Sequence, residues 1–96
     1  MSTGPEIRPW TFLTNHTQVL LCIAQDPDAT LRRVAQDVGI TERAAQRITA
    51  DLVEAGIIER QRRGRKNHYR INREATMRHA AQAQHRVGPL LDFLNA

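Results

Sequence analysis

The side chains best suited to specific recognition lie in one helical pattern between Thr41 and Gly56. Arg43, Gln46 and Arg47 are three or four residues apart or adjacent, so a helix would present them on one face. An arginine can donate two hydrogen bonds to a guanine edge, and a glutamine can pair with an adenine edge. A solvated helix face has the same kind of residues, so this pattern alone leaves both interpretations open. The opposite face carries Ala45, Ile48, Thr49 and Leu52, which we expect to be buried.

A cationic run follows this helical pattern. Ile57 and Ile58 are β-branched, Gly64 lies in the middle of the run, and Tyr69 and Ile71 alternate with polar residues, which predicts a hairpin with a turn at the glycine. Because residues 60–70 contain no acidic residue, their cations repel one another unless an anion is near, and this favours contact with nucleic acid over a solvated loop. The six cations are Arg60, Arg62, Arg63, Arg65, Lys66 and Arg70.

A second helical pattern precedes the first and positions it. Thr30 is a good N-cap, and Gly39 can adopt the left-handed conformation that ends a helix. Thr41 then caps the following helix after only a short turn, which suits the tight bend of a helix-turn-helix. The apolar stripe of the earlier helix is Leu31, Val34, Ala35 and Val38.

The N-terminal flank divides into an arm and a core helix. Residues 1–12 contain two of the four prolines and precede the first helical pattern. We expect them to form an extended or flexible arm, from which Trp10 and Phe12, with Leu13, clamp onto the domain. A helix from Thr14 or Asn15 to Gln25 is apolar on nearly all sides and therefore central in the core. Asp26-Pro27 should stop it.

The C-terminal flank, residues 72–96, reads as a helical segment. Asn72 is a possible cap, and Gly88-Pro89 should kink or restart the helix. Apolar residues recur along this segment at helical spacing and form a stripe. Because such a stripe must be buried, it packs either on the first helix or on a second copy of the chain, and we favour the second copy. The candidate dimerisation residues are Ala83, Val87, Leu90, Leu91, Phe93 and Leu94, and Ala80 extends their stripe.

The run RRVAQDVGITERAAQRITADLVEAGIIER and the hairpin RRGRKNHYRI resemble winged helix-turn-helix regulators of the bacterial MarR/ArsR-like group. The pattern Leu-x-x-Ala-Gly-hydrophobic within LVEAGIIER is typical of the helix that leads into the wing. The resemblance covers residues 13–71 and implies a mainly α, α+β winged helix-turn-helix with an additional C-terminal helix. It also implies a short strand near residues 28–31 and a homodimer on double-stranded DNA. The expected DNA contacts are Thr41, Arg43, Gln46, Arg47, Arg62, Arg63, Arg65, Lys66 and His68.

Composition and motifs argue against several other classes. The 96 residues make one small domain with a net charge of +4, which suits a polyanionic partner. No histidine lies four residues from another, there is no Cys-x-x-Cys, and no phosphate loop or nucleophile motif occurs, so we expect no metal, no cofactor and no enzyme activity. We expect Cys22, the only cysteine, to be a small buried hydrophobe. Without an apolar span or signal peptide, we expect a cytoplasmic protein.

Two function classes remain open. The first is a dimeric, sequence-specific DNA-binding regulator, and at this length we expect it to lack an effector pocket. The second is a winged-helix interaction or dimerisation module without sequence-specific DNA binding. The cationic hairpin favours the first. The helix that would read DNA favours the second, because its three acidic residues outnumber its two arginines: Glu42, Asp51 and Glu54 against Arg43 and Arg47.

Overall fold

The computed structural model describes residues 10–95, so the part of the expected arm in residues 1–9 lies outside the described residues. Three helices are followed by an antiparallel hairpin and a last helix, which is the mainly α winged helix-turn-helix architecture predicted from the sequence. The elements are α1 (Asn15–Gln25), α2 (Leu31–Val38), α3 (Glu42–Glu54), β1 (Ile58–Arg63), β2 (Lys66–Ile71), a 3-10 turn (Ala80–Gln82) and α4 (Val87–Leu94).

Three threonines set the starts of the first three helices. The side-chain oxygens of Thr14, Thr30 and Thr41 each accept a hydrogen bond from the backbone N–H three residues later, at 3.3, 3.1 and 3.0 Å. Each bond satisfies one of the N–H groups that lack a partner within the helix. The predicted caps at Thr30 and Thr41 are therefore confirmed, and α1 starts where the sequence placed it.

Two glycines end α2 and α3 and turn the chain. Gly39 and Gly56 have φ angles of +84° and +76°, in the left-handed region that a side chain disfavours. Beyond Gly56, the N–H of Ile57 donates to the carbonyl of Leu52 at 3.0 Å, which closes the last turn of α3. Because Ile57 leads directly into β1, this turn joins the hairpin directly to the end of α3.

The core lies where α1, α2 and α3 meet the base of the hairpin. Val19 and Ile23 of α1 are almost fully buried, and Ile58 and Tyr69 are buried against them from the hairpin. The four residues predicted for the inner face of α3 are all buried. Among them, the Thr49 hydroxyl donates to the carbonyl of Ala45 at 2.8 Å, so this polar group is satisfied inside the core.

The hairpin has one antiparallel pairing, with Ile58 opposite Ile71 at its base and Arg63 opposite Lys66 at its tip. Gly64 has a φ of +62°, and it is the only turn residue with positive φ, as a type II′ turn requires. The expected strand at residues 28–31 does not form. Helix α2 begins at Leu31, and the only backbone bond from this region to β2 runs from the Tyr69 N–H to the Pro27 carbonyl, at 3.0 Å.

The C-terminal segment corrects two further predictions. Asn72 caps no helix, and residues 72–86 form turns, one 3-10 turn and an isolated bridge between Thr76 and Arg86. A helix restarts at Gly88-Pro89, which is one of the two outcomes expected from the sequence: both residues lie in the first turn of α4, where an N–H has no partner within the helix and proline is tolerated. The helical part of the stripe is therefore limited to residues 87–94.

The clamp expected from Trp10 and Phe12 is wrong. Their side chains are 71% and 92% exposed, and the two rings contact each other edge to face with centroids 5.9 Å apart. Leu13, which directly precedes the N-cap of α1, is half-buried.

Candidate nucleic-acid interface

The outer face of α3 presents three long polar side chains around one shallow depression. Arg43, Gln46 and Arg47 are exposed, as predicted. Two alanines between them keep the surface low, so a flat partner such as a base edge can approach the helix closely. The complete lining of this depression is Thr41, Arg43, Ala44, Gln46, Arg47 and Ala50. Thr41 contributes as the N-cap, so its hydroxyl is already engaged with the Ala44 N–H.

The acidic residues of α3 do not neutralise its two arginines. Within residues 10–95, neither Arg43 nor Arg47 lies within ion-pair distance of a carboxylate. Asp51 is held instead by His16 of α1, whose Nε2 lies 2.9 Å from its carboxylate oxygen. The two guanidinium groups therefore keep their donors for a partner, although α3 as a whole carries a slight excess of acid.

The hairpin, hereafter the wing, displays cations on both faces and at its tip. All six cations predicted in this run are exposed. Arg62 lies opposite Asn67 and Arg63 lies opposite Lys66, and successive pairs in a strand alternate between faces. Like charges opposite each other are unfavourable in a hairpin, so the pairing of Arg63 with Lys66 gains most from a neighbouring anion.

The side chain of Arg62 is oriented by the turn itself. Its Nε donates to the carbonyl of Gly64 at 3.0 Å, which leaves the remaining guanidinium N–H groups for another acceptor. Arg65 is one of the two turn residues and extends the charge to the very tip. The wing is therefore a cationic projection, with four of its six charges near the tip.

His68 of the wing contacts the turn between α1 and α2. Its Nδ1 lies 2.7 Å from a carboxylate oxygen of Asp28, in the turn between α1 and α2, and its side chain is only 22% exposed. The pKa of Asp28 is lowered, first by this hydrogen bond and then by the positive charges of His68, Arg63 and Lys66. This contact ties β2 to the turn between α1 and α2 through Nδ1 alone, so the expected DNA contact of His68 stays a prediction.

The base of the wing is tied to the end of α3 by Asn72. Its backbone N–H donates to the carbonyl of Ile57 at 2.8 Å, and its side-chain amide donates to the carbonyl of Gly56 at 3.1 Å. Sequence reasoning missed this function because Asn72 has an equally good local signal as a helix cap. It missed Asp28 because nothing near this residue indicates a partner 40 positions away.

The candidate dimerisation residues differ in how deeply they are buried. Val87 and Leu91 are 4% and 2% exposed and pack in the core of the same chain, against α1, so they are not available to a second copy. Leu90 and Leu94 are half-buried. Ala83 is exposed in a turn outside α4, and Phe93 is 79% exposed.

Other kinds of site find little support. Residues 10–95 contain no group of three or more His, Cys, Asp or Glu side chains able to hold a metal ion, and no helix in this part of the chain is long and apolar enough to cross a bilayer. Cys22 is half-buried and packs on the edge of the core. Burial, followed by the negative charge of Asp37, raises the pKa of its thiol, which disfavours the reactive thiolate.

Comparison with known protein families agrees with this geometry. Residues 13–59 match the family described as winged helix-turn-helix DNA-binding, and this part of the chain is a winged helix-turn-helix DNA-binding domain. The match covers the three helices and the start of β1, so most of the wing and the C-terminal segment lie beyond it. No curated protein and no solved structure matches the chain significantly.

Proposed function

We propose that the protein is a sequence-specific regulator of transcription that binds double-stranded DNA as a homodimer, in the manner of the bacterial MarR/ArsR-like group. In this proposal α3 enters the major groove, and the wing contacts the phosphate backbone or the adjacent minor groove. The proposal rests on one combined observation. The outer face of α3 presents Arg43, Gln46 and Arg47 without a neutralising carboxylate, and a wing with six cations is bonded to the end of the same helix. Such a regulator acts where bacterial chromosomal DNA lies, in the cytoplasm.

Base reading is assigned to Arg43, Gln46 and Arg47. They surround one depression, are exposed, and offer the donors that guanine and adenine edges accept. They lie in the first half of α3, which is the part that a recognition helix inserts into the groove. Thr41 is assigned to the backbone near the N-terminus of α3, where a phosphate would be favoured by the helix dipole.

Phosphate binding is assigned to the wing through Arg62, Arg63, Arg65 and Lys66. These residues are exposed, and residues 60–70 contain no acidic residue. Phosphate contacts provide affinity and orientation without reading sequence, so this assignment complements that of α3.

The contact with a second copy of the chain is assigned to the accessible side of α4. Phe93 is the largest exposed apolar side chain there, and the half-buried Leu90 and Leu94 lie three residues before it and one after it. Burial of one such side chain contributes about 1.5–3 kcal/mol, so a few of them per chain would support a modest dimer. Ala83, Val87 and Leu91 are no longer part of this surface.

The proposal is tested by selecting bound sequences from a random duplex pool and then titrating the best duplex with salt. We expect enrichment of a palindromic site and an affinity that falls steeply with salt concentration. Light scattering at tens of micromolar should give the mass of two chains, and Phe93→Ala should shift it towards one. A monomer at that concentration removes the dimer from the proposal, and a pool without enrichment removes sequence specificity.

The second candidate is an interaction module that uses the exposed side of α4 without reading DNA. It is favoured by the acidic excess of α3, where Glu42 and Glu54 are exposed. Under this alternative, Phe93→Ala would abolish self-association or partner binding, whereas duplex affinity would be weak and independent of sequence.

A further inference from the structure

A groove of about 650 Å³ lies between one face of the wing and the C-terminal ends of α1 and α4. It shares no residue with the depression on the outer face of α3. Among its lining residues, only Arg63 and His68 belong to the expected DNA contacts. The protein therefore has a second concave surface, beside the wing, that base reading by α3 does not use.

The wing contributes the cationic wall of this groove. Gln61 lies opposite His68 in the hairpin, and Arg63 and Arg70 each lie two positions further along their strands. Because side chains alternate along a strand, these four residues share one face. Neither arginine forms an ion pair in the described part of the chain, although Glu59 lies opposite Arg70. Both guanidinium groups therefore keep their donors for an anion in the groove.

The opposite wall is formed by the ends of α1 and α4. Among the described residues, Asp92 is the one acidic residue that lines the groove, and Arg73 neutralises it through an ion pair of 2.6 Å. The Oδ1 of Asn95 accepts a hydrogen bond from Gln25 at 3.1 Å, so its Nδ2 remains a donor. This wall therefore leaves the positive charge of the two wing arginines without opposition.

The floor between these walls is apolar. Ala24 and Ile71 are half-buried, and Leu91 is 2% exposed. Water against such a surface is displaced favourably by an apolar side chain. The groove therefore combines an apolar floor with positive charge on one side, and it complements a chain that carries both apolar and acidic side chains.

We propose that this groove binds an extended acidic segment of a partner protein, with carboxylates at Arg63 and Arg70 and an apolar side chain on the floor between them. Arg63 lies opposite Lys66, and Arg70 is four residues beyond Lys66. The two arginines are therefore about 13 Å apart along the wing, at about 3.3 Å per residue. In an extended peptide, residues i, i+2 and i+4 lie on one face. The matching segment has acidic residues four positions apart and an apolar residue midway between them.

The shape of the groove favours a peptide over nucleic acid. A duplex cannot enter a groove of this volume, so only a single strand could compete for it. Proteins that bind single strands stack the bases on accessible aromatic side chains. Tyr69, the one aromatic residue among those that line the groove, is only 2% exposed. Binding of the acidic segment does not depend on the proposed function, because it is measured on the protein without DNA.

The test follows the backbone amide signals of the full chain by NMR during titration with a short synthetic peptide, at about 50 mM salt, where exposed charges are weakly screened. The central residues of the peptide are glutamate, serine, leucine, serine and glutamate, flanked by glycines. We expect saturable shifts at Gln61, Arg70 and Asn95, and none with a peptide in which glutamines replace the glutamates.

A pair of arginine variants locates the charge that the peptide uses. Arg70→Gln should weaken binding of the acidic peptide about tenfold, because one charge-assisted hydrogen-bonded pair is lost. The matched control is Arg60→Gln, which removes the same charge from the same hairpin. Arg60 is exposed, lies opposite Tyr69 and does not line the groove, so this control should change binding by less than about twofold.

Three results would overturn the proposal. The first is no saturable binding by the unmodified chain, and the second is an equal loss in Arg70→Gln and Arg60→Gln, which would show a general charge effect. The third is displacement of the peptide by a single-stranded oligothymidylate with shifts at the same amides, which would assign the groove to nucleic acid. Duplex affinity is measured separately, so a failure of this site remains distinct from a failure of DNA binding by α3.

Discussion

The tip of the wing offers the sharpest test of DNA binding. The perturbation replaces Arg63, Arg65 and Lys66 with glutamine, which removes three charges but keeps long polar side chains. All three residues are exposed, and none lies within ion-pair distance of a carboxylate in the described part of the chain. Arg62 is left unchanged because its Nε is engaged with the Gly64 carbonyl.

The magnitude follows from counterion release. Each phosphate neutralised by a cation steepens the plot of log affinity against log salt by about 0.9, so three contacts contribute a slope of about 2.7. Between 50 and 200 mM salt, this slope amounts to roughly a 40-fold loss of affinity that the variant should no longer show. The figure is an upper bound, because Arg63 and Lys66 also interact with the negative charge of Asp28.

The assay is fluorescence anisotropy of a labelled duplex across this salt range, with circular dichroism to verify folding. The matched control replaces Arg73, Arg78 and Arg86 with glutamine, which changes the net charge equally within the C-terminal segment, where two of them pair with Asp92 and Glu74. We expect the control to change the slope by less than about one unit. Equal changes in both variants would refute the assignment of phosphate contacts to the wing and indicate a general charge effect. An unchanged slope in the wing variant would show that the wing does not touch DNA.

Four further predictions concern α3, α4 and the anchor of the wing. Replacing any of the three long polar side chains on the outer face of α3 with alanine should cost about 1–3 kcal/mol on the best duplex and less on random DNA; equal losses on both would make these residues phosphate contacts. Gly88→Ala places a methyl group 3.0 Å from the backbone oxygen of Arg73 and should lower the free energy of unfolding by about 1–3 kcal/mol in urea titrations. In the same titrations, Leu91→Ala should lower the free energy of unfolding by about 2–5 kcal/mol, because Leu91 is 2% exposed. Phe93→Ala should lower it by under about 0.5 kcal/mol in the monomer. Similar losses for the two variants would mean that α4 packs differently. Because the pKa of Asp28 is lowered on folding, its ionised form stabilises the folded state above the unfolded pKa of 3.8, and this contribution is lost as pH falls below that value. In chemical denaturation, the loss of stability caused by Asp28→Asn should therefore be present at pH 7 and shrink towards pH 3. A loss that stays constant with pH would exclude the ion pair as its cause.

Local signals predicted the helix-turn-helix correctly. Thr30 and Thr41 cap their helices, and Gly39 and Gly56 end them, through hydrogen bonds and φ angles that involve only a few neighbouring residues. The periodicity of α3 placed Ile48 and its neighbours inside because burial of one helix face is decided by the spacing along that helix. The cationic hairpin was predicted for the same reason, since Gly64 and the flanking alternation specify a turn locally.

Tertiary structure decided the roles that depend on distant partners. His68 binds the turn between α1 and α2 because folding brings Asp28, 40 residues away, within 2.7 Å of its Nδ1. The apolar residues of α4 divided between core and surface according to which side meets α1, so Leu91 is buried and Phe93 is exposed, although both belong to one predicted stripe. Residue type and spacing determine which side chains a helix can present together. Only the packing of that helix against the rest of the chain determines which of them remain free to bind a partner.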